Sequence, residues 1–162
     1  MSQLNGREPG MVGTCLADGE SFCGVIVDGQ HVEDTALKVL FAAKPMNRIM
    51  LISDAMPPAA GGPDTFELQG RMTRRVGNRL QLADGTLAGS IVTMDEAVRR
   101  TVALGIPLPD ALCMASSVPA HFLGKQNELG RIAKGFAASL VHLDDDLHVT
   151  KTWIDGAGEI RK

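Results

Sequence analysis

The segment RIMLISDAMPPAAGG, from Arg48 to Gly62, decides the fold expected of this chain. Its apolar run from Ile49 to Ile52 has the length of a buried strand, and a loop rich in proline and glycine follows it. Asp54 therefore lies at the carboxyl end of that strand. Ligand-binding and catalytic groups of parallel α/β sheets gather at such ends, although an aspartate there also commonly caps a turn. Asp54 is the first candidate for a functional residue.

A second strand of the same kind lies upstream. The β-branched run CGVIV at residues 23–27 ends at DGQH, residues 28–31, so His31 follows its strand much as Asp54 follows the other. Between the strands, apolar residues recur at helical spacing from Asp34 to Lys44. Strand, helix and strand in this order predict one βαβ unit with parallel strands.

The rest of the chain predicts further helices and an antiparallel layer. Residues 66–82 are typical of a hairpin or a pair of edge strands turning at Gly77-Asn78. We expect helices from Thr93 to Leu104, from Pro109 to Ser116 and from Pro119 to Leu123. From Leu129 onward, GRIAKG, SLVHL, HVTKTWI and GEIRK are strand-length pieces that predict a small antiparallel β layer. The first 13 residues predict a loop that carries Arg7.

Composition and charge exclude several classes of protein. The 162 residues are 44% hydrophobic and 22% charged, as expected for about one soluble α/β domain. A net charge of -3 without a basic cluster argues against nucleic acid, and no apolar run or leader predicts membrane insertion or secretion. The odd set Cys15, Cys23 and Cys113 contains no CxxC pair and is typical of reduced thiols in the cytoplasm.

Taken one by one, the polar residues leave several readings open. Arg7 and His31 together suit a phosphate, although each alone is more often a surface or structural group. The run Asp144-Asp145-Asp146 is better explained as a solvated turn than as a metal site. His121, His142 and His148 form no HxH or HExxH pattern, so no zinc ligand set can be named.

Four motifs in order carry a family resemblance. They are GREPG at residues 6–10, DGQHV at 28–32, SDAMPP at 53–58 and LADGTLAGS at 82–90, and the similarity continues into LGRIAKGFAASLV at 129–141. This series resembles the C-terminal part of the N-acetylglucosamine-6-phosphate deacetylase family, within the amidohydrolase superfamily. One departure is Ala138-Ser139-Leu140, where many amidohydrolases carry Ala-Asp-Leu.

The resemblance implies an α/β fold made of the C-terminal part of a (β/α)8 TIM barrel and part of a small β-sandwich domain. Residues 1–65 would hold the last two barrel strands with their crossover helix, and residues 66–82 a β excursion. Residues 83–128 would form the C-terminal loop and helices of the barrel, and residues 129–162 a segment of the small β domain. Family members are usually dimers, so a homo-oligomer is expected.

The resemblance also implies a reaction and a set of site residues. The family hydrolyses N-acetyl-D-glucosamine 6-phosphate to D-glucosamine 6-phosphate and acetate. Asp54 matches the aspartate that transfers the proton. The positions that match substrate-binding groups are Arg7, Asp28, Gly29, Gln30, His31, Leu87, Ala88 and Gly89.

The resemblance places the metal ligands elsewhere. The complete enzyme uses a divalent metal, zinc or similar, but the glutamate and two histidines that hold it align before Met1. We therefore expect no metal bound by these residues and no deacetylation by this chain alone. Two alternatives stay open: a non-catalytic fragment that binds a sugar phosphate or itself, and a deacetylase of a related amino-sugar phosphate.

Overall fold

The computed structural model describes residues 2–160, which form a mixed α/β fold. In chain order the elements are α1 (Gly10–Ala17), β1 (Cys23–Val25), α2 (Asp34–Ala43), β2 (Ile49–Leu51), β3 (Thr65–Leu68), β4 (Arg71–Val76), β5 (Arg79–Leu82), α3 (Met94–Ala103), α4 (Leu108–Ala115), α5 (Ser117–Phe122), β6 (Leu140–Leu143), β7 (Val149–Ile154) and β8 (Ala157–Ile160). Single 3-10 turns lie at Met46–Arg48 and Pro57–Ala60. Among these residues, no helix combines the length and the apolar character needed to cross a bilayer.

The predicted βαβ unit is confirmed. Strands β1 and β2 pair in parallel, with Val25 opposite Leu51, and α2 connects them. All three residues of β2 are buried, because a parallel strand with both faces covered favours a continuous apolar run. Both strands are shorter than the sequence predicted, since regular pairing between them stops at Val25 and Leu51.

The hydrophobic core lies where this unit meets the later helices. Leu37 of α2 and Ile49 of β2 are fully buried, and each contributes roughly 1.5–3 kcal/mol through removal of its side chain from water. Val98 of α3, together with Ala111 and Met114 of α4, packs into the same cluster. The core therefore fixes β1 and β2 from one side and leaves the loops after them free to carry polar groups.

The excursion after the proline-glycine loop is a three-stranded antiparallel sheet. Strands β3, β4 and β5 pair in that order, with turns at Gln69-Gly70 and Gly77-Asn78. The sequence predicted strand pairing across this segment, and the structure adds the first turn. Gln69 and Gly70 both have positive φ, at +52° and +77°, which permits the tight reversal.

Two local predictions were wrong. Residues 1–13 were expected to be a loop, but α1 begins at Gly10, and its buried Gly13 packs so closely that a Cβ would lie 2.7 Å from the Leu4 side chain. Tertiary packing thus overrides the low helix propensity of glycine. The segment GRIAKG, expected as a strand, is a loop, because Gly130 and Gly135 adopt left-handed φ values of +84° and +91°. Strands β6, β7 and β8 do form the expected antiparallel layer.

Candidate functional site

Asp54 lies at the carboxyl end of β2, as predicted. The Ile52 N–H donates to the Val25 carbonyl oxygen at 3.0 Å, and the chain turns away from the sheet after this bond. Asp54 has a φ of +48°, a left-handed conformation that its short polar side chain tolerates better than most. The residue is exposed. Its carboxylate therefore stands at the strand end, accessible to a molecule from solution.

The structure brings Asp54 together with the predicted loop at residues 87–89. The Ser90 N–H donates to the Asp54 carbonyl oxygen and the Met56 N–H donates to the Ser90 carbonyl oxygen, both at 2.9 Å. A Cβ on Gly89 would lie 2.5 Å from the Met56 Cγ and 3.2 Å from the Asp54 carbonyl oxygen. The absence of a side chain at Gly89 thus lets the two segments touch.

The same loop is also fastened to the three-stranded sheet. The Ala88 N–H donates to the Leu80 carbonyl oxygen at 3.0 Å, and Leu87 pairs with Gln81 as an isolated antiparallel bridge. Ala88 is only 8% exposed. Since Ala88 is buried and its N–H is already bonded, it can offer a ligand at most its carbonyl oxygen.

The loop at residues 28–31 is organised by Asp28. One carboxylate oxygen accepts the N–H groups of Gln30 and His31, at 2.8 and 2.9 Å, and the other lies 2.7 Å from His31 Nδ1. Burial acts to raise the pKa of Asp28, but the N–H donors of His31 and Gln30 and the imidazole of His31 outweigh it, so the pKa is lowered. Asp28 is therefore a carboxylate at neutral pH.

This arrangement fixes what His31 can do. Because a carboxylate only accepts hydrogen bonds, Nδ1 must be the donor in its contact with Asp28, which leaves Nε2 for a ligand. A neutral ring would then present an acceptor at Nε2, and a protonated ring a charged donor. The side chain is 19% exposed, so a ligand can reach it. Only the protonated form suits a phosphate.

Two arginines that the sequence reasoning missed hold this loop. Arg79 of β5 donates from Nε to Gln30 Oε1. The Arg100 guanidinium of α3 packs so closely against Gly29, which has a φ of +70°, that no room is left for a Cβ. Gln30 thus uses its amide oxygen in a structural bond. No local pattern reveals these contacts, because the partners lie 49 and 71 positions away in the sequence.

The two strand ends lie at one edge of the sheet. Val25 pairs with Leu51, so Asp28 and Asp54 each come three residues beyond the same level of the parallel pair. The loops that carry His31 and Asp54 therefore leave the sheet in the same direction.

Arg7 is not brought into this cluster by any contact that the structure shows. It lies in an exposed segment where Asn5 Oδ1 accepts the N–H groups of Arg7 and Glu8, at 3.0 and 2.9 Å. Within residues 2–160, its guanidinium has no hydrogen bond or ion pair. The pairing of Arg7 with His31 stays a prediction.

The residues present do not fit a metal centre. No three His, Cys, Asp or Glu side chains in the described part of the chain come close enough to hold an ion. His31 already uses Nδ1 on Asp28, and His142 uses Nδ1 on Thr150 Oγ1 at 2.6 Å. The run at residues 144–146 is a turn between β6 and β7, with the Asp144 carboxylate accepting two backbone N–H groups.

Comparison with known proteins agrees with the mixed α/β fold. The profile of the Amidohydrolase family matches residues 11–157, and this chain belongs to that family. The similar proteins include several deacetylases of amino-sugar phosphates. The chain is 40% identical over 157 residues to the N-acetylgalactosamine-6-phosphate deacetylase of Shewanella sp. (strain ANA-3), covering 96% of this chain and 40% of that protein.

Two further proteins match this chain over different shares of their own length. The putative N-acetylgalactosamine-6-phosphate deacetylase of Escherichia coli (strain K12) is 43% identical over 158 residues, covering 96% of this chain and 93% of that protein. The crystal structure of N-acetylglucosamine-6-phosphate deacetylase from Thermotoga maritima superposes with a TM-score of 0.91 at 30% identity, covering 99% of this chain and 44% of that one. The chain thus spans about two fifths of the length of the Shewanella and Thermotoga proteins.

Proposed function

We propose that this chain is the part of an N-acetylhexosamine-6-phosphate deacetylase that carries the proton-transferring carboxylate and part of the substrate site. The observation that carries the proposal is the contact between the Asp54 strand end and the loop at residues 87–89, in a chain similar along 96% of its length to such deacetylases. The assembled enzyme would release acetate and the amino-sugar 6-phosphate.

The architecture that goes with this proposal is the C-terminal part of a (β/α)8 barrel. Strands β1 and β2 with α2 supply its last two strands within residues 1–65, and residues 66–82 form the β excursion. Residues 83–128 supply its last loop and helices. Residues 129–162 belong to a small β-sandwich domain, which the antiparallel order of β6, β7 and β8 supports.

Hydrolysis of the acetamide adds water to the carbonyl carbon and breaks the C–N bond. We assign Asp54 as the group that takes a proton from the water and returns it to the leaving amine, because it is exposed at the strand end beside the Gly89 loop. Residues 28–31 and 87–89 would line the sugar, mostly through backbone atoms, since Gln30 and Ala88 turn their side chains to the protein.

His31 and Arg7 would hold the phosphate. We expect Arg7→Ala to weaken glucosamine 6-phosphate binding by about 1.5–3 kcal/mol, the usual contribution of a charged hydrogen bond. Because Nδ1 is committed to Asp28, His31 can reach the phosphate only through Nε2. Calorimetry with equal affinity for glucosamine and glucosamine 6-phosphate would contradict this assignment.

The amidohydrolase family is generally metal-dependent, and we propose that zinc or a similar divalent ion serves the complete enzyme. The described residues do not fit that ion, so its ligands would come from outside residues 2–160. We further propose a cytoplasmic homo-oligomer. The free thiols of Cys15, Cys23 and Cys113 support the assignment to the cytoplasm, which is a reducing compartment.

A second candidate substrate is N-acetyl-D-galactosamine 6-phosphate. Two relatives at 40% and 43% identity carry that name, whereas the Thermotoga structure at 30% identity carries the glucosamine name. The two sugars differ only in the orientation of one hydroxyl group. A comparison of kcat/KM for both sugars in the same assembly decides between them.

The function is tested by reconstitution. The chain is co-expressed with the part of the Shewanella relative that it does not match, zinc is supplied, and amine release from both sugar phosphates is followed. We expect turnover by the pair and none by this chain alone, since general base catalysis by Asp54 supplies only about 10²–10⁴-fold. A co-purified, zinc-loaded pair without activity would contradict the proposal, and so would ordinary turnover by the chain alone.

The control separates chemistry from folding. In the reconstituted pair, Asp54→Asn should abolish amine release. The matched variant Asp155→Asn changes another exposed aspartate with almost the same backbone conformation, φ +49° against +48°, in the turn between β7 and β8. Its activity should be unchanged. Equal losses in both variants would remove the case for Asp54.

A further inference from the structure

A cavity lies at the opposite end of β2 from Asp54. Its volume is about 270 Å³, and it is lined by Asn47, Ser117, Val118, His121, Gln126 and Arg131. Asn47 belongs to the 3-10 turn directly before β2, whereas Asp54 follows that strand. The cavity is therefore separate from the candidate deacetylase site.

The walls of this cavity are held in place by packing. Gly130, with φ +84°, lies against α5 so closely that a Cβ would come 2.7 Å from Ser117 Cα and 2.9 Å from the Ser116 carbonyl oxygen. This contact keeps the neighbouring Arg131 beside Ser117. On the other wall, the His121 ring meets the edge of Phe22 with centroids 5.3 Å apart.

Two hydrogen bonds fold the loop that carries Gln126 and Arg131. The Leu129 N–H donates to the Lys125 carbonyl oxygen, and the Ala137 N–H donates to the Glu128 carbonyl oxygen, both at 2.9 Å. The Lys125 ammonium and the Glu128 carboxylate form an ion pair at 2.9 Å. The charges of these two neighbours thus largely cancel, and Arg131 is the charged residue in the lining itself.

The chemistry of the lining suits an anion. The guanidinium of Arg131 keeps its positive charge throughout the accessible pH range and can make two parallel hydrogen bonds to an oxyanion. Asn47, Ser117 and Gln126 add neutral donors, and His121 adds a ring nitrogen. In the described part of the chain, no carboxylate lines this cavity. Asp110 lines an adjoining cavity.

We propose that this cavity binds a phosphate group. Within residues 2–160, none of the five polar side chains in its lining has a hydrogen-bond or ion-pair partner, so all are available to a ligand. A tetrahedral oxyanion can use the fork of Arg131 and the surrounding single donors together. Because most of the lining is exposed, the cavity is open to solvent and admits either inorganic phosphate or a phosphate ester.

The test is an NMR titration of the full chain with inorganic phosphate at constant ionic strength, followed on the histidine ring signals. We expect the His121 signals to shift along a saturable curve. In Arg131→Ala the apparent Kd should rise at least tenfold, because a charged hydrogen bond is lost. In Arg74→Ala, which removes an exposed arginine on β4, it should change less than twofold.

The His31 signals report separately on the candidate deacetylase site, so this inference and the proposed function can fail independently. Glucosamine 6-phosphate and glucose 6-phosphate serve as parallel ligands. A lower Kd for either would identify a phosphate ester as the occupant, and tighter binding of the inorganic ion would identify free phosphate. An unsaturable His121 shift, or one unaltered by Arg131→Ala, would overturn the proposal.

Discussion

Gly89 sets how closely the two halves of the candidate site approach each other. Its φ of +80° disfavours any other residue, and its Cα faces both Met56 and the Asp54 carbonyl oxygen. A substitution there therefore combines backbone strain with a steric collision. Gly85 has nearly the same φ, +84°, but open space around its Cα.

We predict that Gly89→Ala destabilises the chain clearly more than Gly85→Ala. Strain in the left-handed region costs about 1–3 kcal/mol in both variants, and the collision with Met56 adds to it only at Gly89. Urea denaturation of the two variants beside the parent chain measures the difference. Equal losses in the free energy of unfolding would mean that the contact between the two segments does not matter for stability.

Some residues of the candidate site could be predicted from the sequence and others could not. Asp54 and His31 were identified because each follows a short apolar run, a pattern that is local in the chain. Arg79 and Arg100 were missed because their role is to contact Gln30 and Gly29 across the fold. Such a role depends on which distant elements meet in the fold. The local sequence around an arginine on a strand or helix does not reveal it.

At the scale of elements, Arg99 joins α3 to the C-terminal layer through a hydrogen bond. Asp95 and Arg99 pair at 2.9 Å one turn apart, and Arg99 also donates to the Leu147 carbonyl oxygen in the turn between β6 and β7. Burial acts to raise the pKa of Asp95, but hydrogen bonds from the Thr93 hydroxyl and Arg99, with the charge of Arg99, lower it to about 2.

We predict that Asp95→Asn lowers the free energy of unfolding by about 2 kcal/mol at pH 7, which follows from the difference between 3.8 and about 2. Since the folded pKa is the lower one, this stabilisation is present above pH 4 and is lost as the pH falls toward 2. Urea denaturation from pH 7 to pH 3 should show the difference reduced to about half at pH 3.

The control for this prediction is Asp145→Asn, which removes an exposed carboxylate in the same β6–β7 turn. It should change stability little at any of these pH values. A loss in Asp95→Asn that is independent of pH would indicate a packing effect instead of the ion pair.

Elements with a strong local signal were predicted well, and those decided by glycine were not. The order of β1, α2 and β2 followed from apolar periodicity and strand length, and the helices α3, α4 and α5 lie within a few residues of their expected bounds. In GRIAKG the alternating pattern suggested a strand, but Gly130 adopts a left-handed conformation and packs on Ser117. Only the tertiary contact reveals that choice.

At the scale of the whole molecule, the parallel sheet has two strands in the part of the chain that is described. Each strand therefore leaves one edge without a partner there, and parallel sheets are rarely stable unless they are well covered. Ile52, at the end of β2, is 42% exposed beside this sheet. These features favour association between copies of the chain through the edges of this sheet.

We predict that the purified chain associates at micromolar concentration. Ile52→Lys should shift it toward the monomer because it places a charge beside the sheet edge. Val76→Lys alters an apolar residue of similar exposure, 46%, on β4 and should leave the assembly unchanged. Light scattering over a concentration series measures both variants, and a monodisperse parent monomer would contradict the prediction.

The clamp of Arg79 and Arg100 on residues 29 and 30 has a consequence for folding. The loop of His31 is organised locally by Asp28, but it is also held by partners 49 and 71 positions away, so its complete native environment requires long-range chain closure. In hydrogen exchange, its amides should open only together with the main cooperative unit. Within the described residues, the hydrogen bonds of the Arg7 segment go to residues nearby in the chain, chiefly Asn5, and its amides should exchange much earlier.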